Sequence, residues 1–332
     1  MASIMPVNAT DGNGTRLLRK VFGPEPEEYV VVAWSFAYFF CVLSSYYILR
    51  PVREMIAVGG GPNIIPWLFF GTFVAMLVAT PIFGWVTSRF SRRQFLPWVY
   101  LFFVTNIILF WIVFSIAIDS GESHIWLGRT FFVWISIFNL FVVSVFWSFM
   151  ADIYTRAQGR RLFGFITAAG SIGGLFGGLL TSTLVVVIGF QDLFGIAAIM
   201  LLIAVFCIGR LMAFIECDST GVVVQQAVSE KPHGGNPFAG ITHVVRSKYF
   251  LGITFTSVMA SLLGTALYIF LAQLVEVRIA DPDKQVAFFA NVNNWTNFLA
   301  LLGQLFIVKH VVERFNIGIS LTLLPIASIA GF

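Results

Sequence analysis

Ser44-Ser-Tyr-Tyr-Ile-Leu-Arg50-Pro51-Val-Arg53-Glu54-Met-Ile-Ala-Val-Gly59-Gly-Gly61 decides how the whole chain is read. It begins inside the first long apolar run and ends in a glycine-rich turn. Arg50, Arg53 and Glu54 lie between, and hydrocarbon does not tolerate such charges without partners or water. Pro51 removes a helix hydrogen bond beside them, so a helix is predicted to end or kink there. The two arginines have two readings: interfacial anchors snorkelling to headgroups, or part of a polar cavity.

Composition supplies the solvent. The chain is 58% hydrophobic and only 11% charged, with a mean hydropathy of +0.89. Soluble domains carry about 25% charged residues, so this is an all-α polytopic membrane protein. The net charge of +4 reflects basic loops and does not point to a nucleic acid polymer. Three scattered cysteines suggest neither a disulfide framework nor a metal site.

Apolar segments near the roughly 20 residues needed to cross a bilayer recur at about 29–50, 64–87, 95–118, 127–150, 162–187, 193–215, 249–275 and 286–308. A ninth begins near Ile317, and the sequence stops inside it, which suggests a truncated chain. Residues 1–28 read as a polar cytoplasmic tail, 29–215 as a six-helix bundle, 216–248 as a cytoplasmic linker and 249–332 as a partial second bundle. With the N-terminus inside, fifteen of the 20 Lys and Arg fall on the cytoplasmic side, as the positive-inside rule requires. Six spans, a linker and more spans is a layout of carriers with two six-helix halves.

Gly84-Trp-Val-Thr-Ser-Arg89-Phe-Ser-Arg92-Arg93 joins spans two and three. It resembles the major facilitator signature G-x-x-x-D-R-x-G-R-R, with serines replacing the Asp and the second Gly. Arg89, Arg92 and Arg93 would latch helix ends, or form a plain basic loop. A weaker echo over 303–314 lies between spans eight and nine. Asp152 and Arg156 bracket the next basic loop, either as an inner gate or as solvated charges at a helix end.

In span five, Gly170, Gly174 and Gly178 recur every four residues, with Gly173 and Gly177 beside them. This spacing predicts close helix packing, with a flexible gate as the other use. Span eight carries Asn291, Asn293, Asn294, Thr296 and Asn297, then Gln304. Asn293 and Asn297 share a face, and the cluster is predicted to line a water-filled cavity rather than act as interhelical glue. Asn139 in span four and Tyr268 in span seven add polar candidates. No carboxylate sits at mid-span, which argues against a proton relay, a metal site and an intramembrane hydrolase.

Tyr47-Ile-Leu-Arg50-Pro-Val-Arg53-Glu54, the later Ile64-Ile-Pro66, and Phe141 through Trp147 to Gln158-Gly-Arg-Arg161 carry a family resemblance. They resemble the nucleotide (ATP/ADP) translocases of plastids and intracellular bacteria. That resemblance implies a twelve-span major-facilitator-like exchanger of nucleotides or similar anions, with about nine spans present. It also implies that Arg53 takes part in transport, with Glu54 as its acidic neighbour. Ser136 and Tyr268 stand where that family has acidic residues, which points to a divergent bacterial branch with another substrate.

The sequence therefore predicts a monomeric transporter in a bacterial inner membrane, not an enzyme, working by alternating access without cofactor. Arg53, Arg50, Glu54, Asn139, Tyr268, Asn293 and Asn297 are its predicted contacts to a small, anionic solute. An exporter of a neutral or lipophilic solute, and a membrane scaffold or enzyme that keeps the fold, are the other readings.

Overall fold

The computed structural model describes residues 28–61, 63–89, 92–120, 125–217 and 247–303. Eight helices follow one another: α1 (Tyr29–Gly59), α2 (Ile65–Arg89), α3 (Arg92–Ser120), α4 (Ile125–Ile153), α5 (Arg156–Ile188), α6 (Leu193–Cys217), α7 (Lys248–Arg278) and α8 (Pro282–Leu302). Among the described residues there is no strand. Helix is the form that satisfies every backbone group within one segment, which a bilayer demands. Seven of the eight, α1 to α7, are long and apolar enough to cross a membrane. The predicted ninth span, Gln304 and most of the 303–314 echo lie outside the described residues, as do most of the tail and the linker.

The first span is expected to close near residue 50, with the helix ending or kinking at Pro51. α1 does not stop at Pro51 but runs on to Gly59. The proline ring disturbs the carbonyls of the preceding turn, and in a membrane these are repaired by neighbouring side chains. Pro51 removes the donor to the Tyr47 carbonyl, and the next carbonyl along, that of Ile48, accepts the Thr181 hydroxyl of α5 at 3.3 Å. The chain turns only after Gly59, where Gly61 takes φ +79°, a conformation open to glycine. Arg50, Arg53 and Glu54 are therefore borne on a continuous helix.

α1 is the axis of the packing, touching α5, α6, α4, α8, α7 and α2. Its most apolar window is 61% buried against protein, while that of α7 is only 11% buried. Small hydroxyls tie it in place. Ser44 donates to the Gly173 carbonyl of α5 at 3.1 Å, and Ser45 to the Ala197 carbonyl of α6 at 2.9 Å. The Tyr38 hydroxyl donates to that of Tyr100 in α3, which passes on to the Val142 carbonyl of α4 at 2.9 Å.

The glycines of α5 work on two sides. A Cβ on Gly177 would stand 2.6 Å from the Ser44 carbonyl oxygen, and one on Gly173 would overlap the Phe40 backbone. Gly170 also faces α1, at Phe39 and Leu43. Gly178 looks toward α8 at Asn294, and Gly174 lies between Asn297 of α8 and Tyr47 of α1. Along the predicted stripe Gly170 thus serves α1, Gly178 serves α8 and Gly174 touches both. Residues one apart on a helix point about 100° apart, which lets one segment admit two neighbours.

Candidate functional site

One face of α1 presents Tyr46, Tyr47, Arg50, Arg53 and Glu54 within about two turns. Spacing of four places Arg50 and Glu54 on the same side. Arg50 Nε and Arg53 Nη1 both lie 3.8 Å from Glu54 Oε1. These are ion pairs longer than a hydrogen bond. The side chains of Arg53 and Glu54 are only 14% and 8% exposed, so Arg53 is enclosed rather than reaching out to headgroups.

Aromatic rings make the enclosure. The Arg53 guanidinium lies 4.1 Å from the Phe132 ring centre of α4 and 5.8 Å from that of Phe69 in α2. Phe69 meets Phe132 edge-on at 5.8 Å and Tyr268 of α7 at 5.5 Å. Arg50 sits 5.5 Å from the Tyr47 ring centre. Side chains from α1, α2, α4 and α7 thus converge on one cationic spot.

The electrostatics are unfinished. Arg50 Nε, Arg53 Nε, Glu54 Oε2 and the Tyr268 hydroxyl are buried without a hydrogen-bond partner, although Tyr268 faces Glu54. Buried polar groups are nearly always satisfied, so a cluster of exceptions needs an explanation. Two guanidinium groups against one carboxylate leave a single positive charge, and a guanidinium fork fits carboxylate or phosphate oxygens.

The other predicted solute contacts are distributed differently. Asn139 is half-buried on α4, seven residues from Phe132, or about 10 Å along the helix. Asn293, Asn294 and Asn297 are each 7% exposed. The α8 face predicted to line a water-filled cavity is packed into the α5 seam, because glycine leaves room for an approaching helix. Asn297 and Tyr47 both border Gly174. A Cβ on Gly174 would lie 2.9 Å from the Asn297 amide nitrogen and 3.0 Å from the Tyr47 ring.

At the α4–α5 junction the structure reveals a partner that the sequence did not suggest. Thr155 caps α5 in a reciprocal box with Gln158. Gln158 Nε2 then donates to Glu28 Oε1 at 2.9 Å, and Arg161 Nη2 reaches both Glu28 oxygens at 2.7 Å. Glu28, read as the end of a tail, is 4% exposed and pins the start of α1 to the start of α5. Nearby, Ser35 bonds the Tyr154 hydroxyl at 2.9 Å, and burial raises the Tyr154 phenol above its usual range. Asp152 is half-buried. The side chains of Arg89, Arg92, Arg93 and Arg156 lie outside the described residues.

Signals for Glu28, Phe69 and Phe132 were weak. An acidic residue just before an apolar run suits a helix start, but phenylalanine is too common here, at 37 residues, for two of them to stand out. The family model of the Major Facilitator Superfamily matches residues 31–332. No solved structure matches the chain.

Proposed function

The chain belongs to the Major Facilitator Superfamily, and from that premise we propose that this multi-pass membrane protein is a secondary transporter of an organic or phosphorylated anion. Arg53 and Arg50 take the anionic group, Glu54 holds both guanidinium groups while the site is empty, and Tyr268 closes it from α7. The observation that carries this reading is the Arg53 guanidinium, enclosed by Phe132 and Phe69, with an unsatisfied nitrogen and a carboxylate too distant to bond it. Because the site spans α1, α2, α4 and α7, relative motion of α7 and the first bundle would open and close it, as alternating access requires.

The resemblance of Tyr47 through Glu54 to nucleotide translocases supports a nucleotide-like anion and exchange as the mode. The basic bias of alternate loops supports a cytoplasmic N-terminus in a bacterial inner membrane. The junction held by Glu28 and Arg161, with Arg89, Arg92, Arg93, Asp152 and Arg156 at the cytoplasmic helix ends, is then the inner gate. Asn139 extends the solute path along α4, and Asn293 and Asn297 join it when α8 moves off the α5 seam.

The test is exchange in liposomes, with the full protein preloaded against labelled nucleotides, other phosphorylated solutes and dicarboxylates. Wild type should exchange at least one anion class, and Arg53→Gln should abolish that exchange at equal protein content. Undiminished exchange by Arg53→Gln sinks the reading, and exchange of neutral solutes alone would favour an exporter.

A further inference from the structure

A concavity lies at the end of the bundle where α1 turns into α2. It has a volume of about 430 Å³, within the roughly 300–1,000 Å³ of sites that hold drug-sized ligands. Its wall is hydrocarbon from several elements: Ile56 of α1, Leu68 of α2, Phe114 of α3 and Phe190 of the α5–α6 turn. One charged side chain, Arg129 of α4, completes it.

Arg129 is oddly placed for a structural residue. Its guanidinium rests 4.7 Å from the Trp126 ring centre, and its Nε is buried without a hydrogen bond. Among the described residues it forms no ion pair. It also lies just beyond the first turn of α4, a turn that holds no acidic residue. Asp283 is near Phe190, but its carboxylate already accepts the Phe190 N–H at 3.2 Å.

We propose that this cavity binds an amphiphilic monoanion, with its apolar body against Ile56, Leu68, Phe114 and Phe190 and its acidic head on Arg129. The chemistry differs from that of the Arg50–Arg53 site, where two cations and a carboxylate suit a more highly charged group. Here a single cation faces an apolar wall. A free aromatic or aliphatic acid and an anionic lipid share the required chemistry. The proposal stands independently of the transport reading, because it uses none of that site's residues.

Binding of 2-naphthoate and of its neutral isostere 2-naphthamide to the full protein in nanodiscs tests it. Wild type should prefer the acid, and Arg129→Gln should weaken the acid by about tenfold or more while leaving the amide unchanged. Arg129→Lys should keep most of the preference. Gly59→Leu supplies a second handle, since Gly59 lines the cavity and a Cβ there meets nothing within 4 Å. The added side chain should displace acid and amide alike. Nanodiscs of zwitterionic lipid against nanodiscs containing anionic phospholipid separate the sources: competition by the anionic lipid identifies a bilayer ligand, and unchanged affinity identifies a soluble acid. No binding by wild type, equal affinity for acid and amide, or an undiminished acid affinity in Arg129→Gln overturns the proposal.

Discussion

Arg53 of α1 holds its guanidinium 4.1 Å from the centre of the Phe132 ring of α4. A planar cation over an aromatic face is held by the ring quadrupole while its edge stays open to an anion. Lysine keeps the charge but has neither the plane nor the fork. Arg53→Lys should therefore lower solute affinity by about 3- to 30-fold, the equivalent of roughly 0.5–2 kcal/mol. The comparison is the KM for exchange in liposomes, with the thermal midpoint as a check that folding is intact. A KM equal to wild type would show that charge alone matters.

The α1–α5 seam makes a prediction about packing. A Cβ at Gly177 would press within 2.6 Å of the Ser44 carbonyl oxygen, and backbone does not yield easily. Gly177→Ala should cost about 1–3 kcal/mol, as overpacking does. Gly164→Ala on the same helix is the control, since nothing lies within 4 Å of its Cβ. There the gain in helix propensity should add about 0.5–1 kcal/mol. Thermal midpoints of the purified variants should move in opposite directions.

Glu28 and Arg161 should be strongly coupled. Glu28 is almost fully enclosed, and Arg161 is 33% exposed, so removing the arginine takes away the cation that faces a buried carboxylate. Arg161→Ala should cost about 1–3 kcal/mol. Arg161→Ala with Glu28→Gln should cost less than the two single changes summed. A double-mutant cycle on unfolding measures this, and additive effects would rule out the latch.

Asp283 predicts a pH dependence. Burial holds its carboxyl above the usual range, opposed by the Phe190 N–H and assisted by Asp281. The folded chain then binds more protons here than the unfolded one between the ordinary value of about 3.9 and the raised value. For this group, stability is greatest below that window and falls as pH rises through it. Asp283→Asn keeps an oxygen for Phe190 and removes the charge, so its midpoint should exceed wild type at neutral pH. The advantage should shrink as pH falls toward 4. A pH-independent difference would contradict it.

The membrane class, eight helices and their order were legible in the sequence, because a bilayer requires long apolar runs and writes them plainly into composition. Arg50, Arg53 and Glu54 were legible for the same reason, since charge in an apolar run stands out. The path of α1 past Pro51 was not, because the contacts that hold this turn, such as the Thr181 hydroxyl on the Ile48 carbonyl, come from residues remote in sequence. Nor was the role of Glu28, whose partner Arg161 is equally remote.

The sequence by itself determined which residues carry charge into the membrane and which helix bears them. Only the tertiary structure decided what surrounds them. Phe132 and Phe69 enclose Arg53, Tyr268 faces Glu54, and the asparagines of α8 lie against the glycines of α5. The physical reason is that hydropathy is a property of each segment alone, whereas enclosure depends on how closely separate helices approach. In this chain that approach is set by the α5 glycines, whose missing side chains admit α1 on one side and α8 on the other.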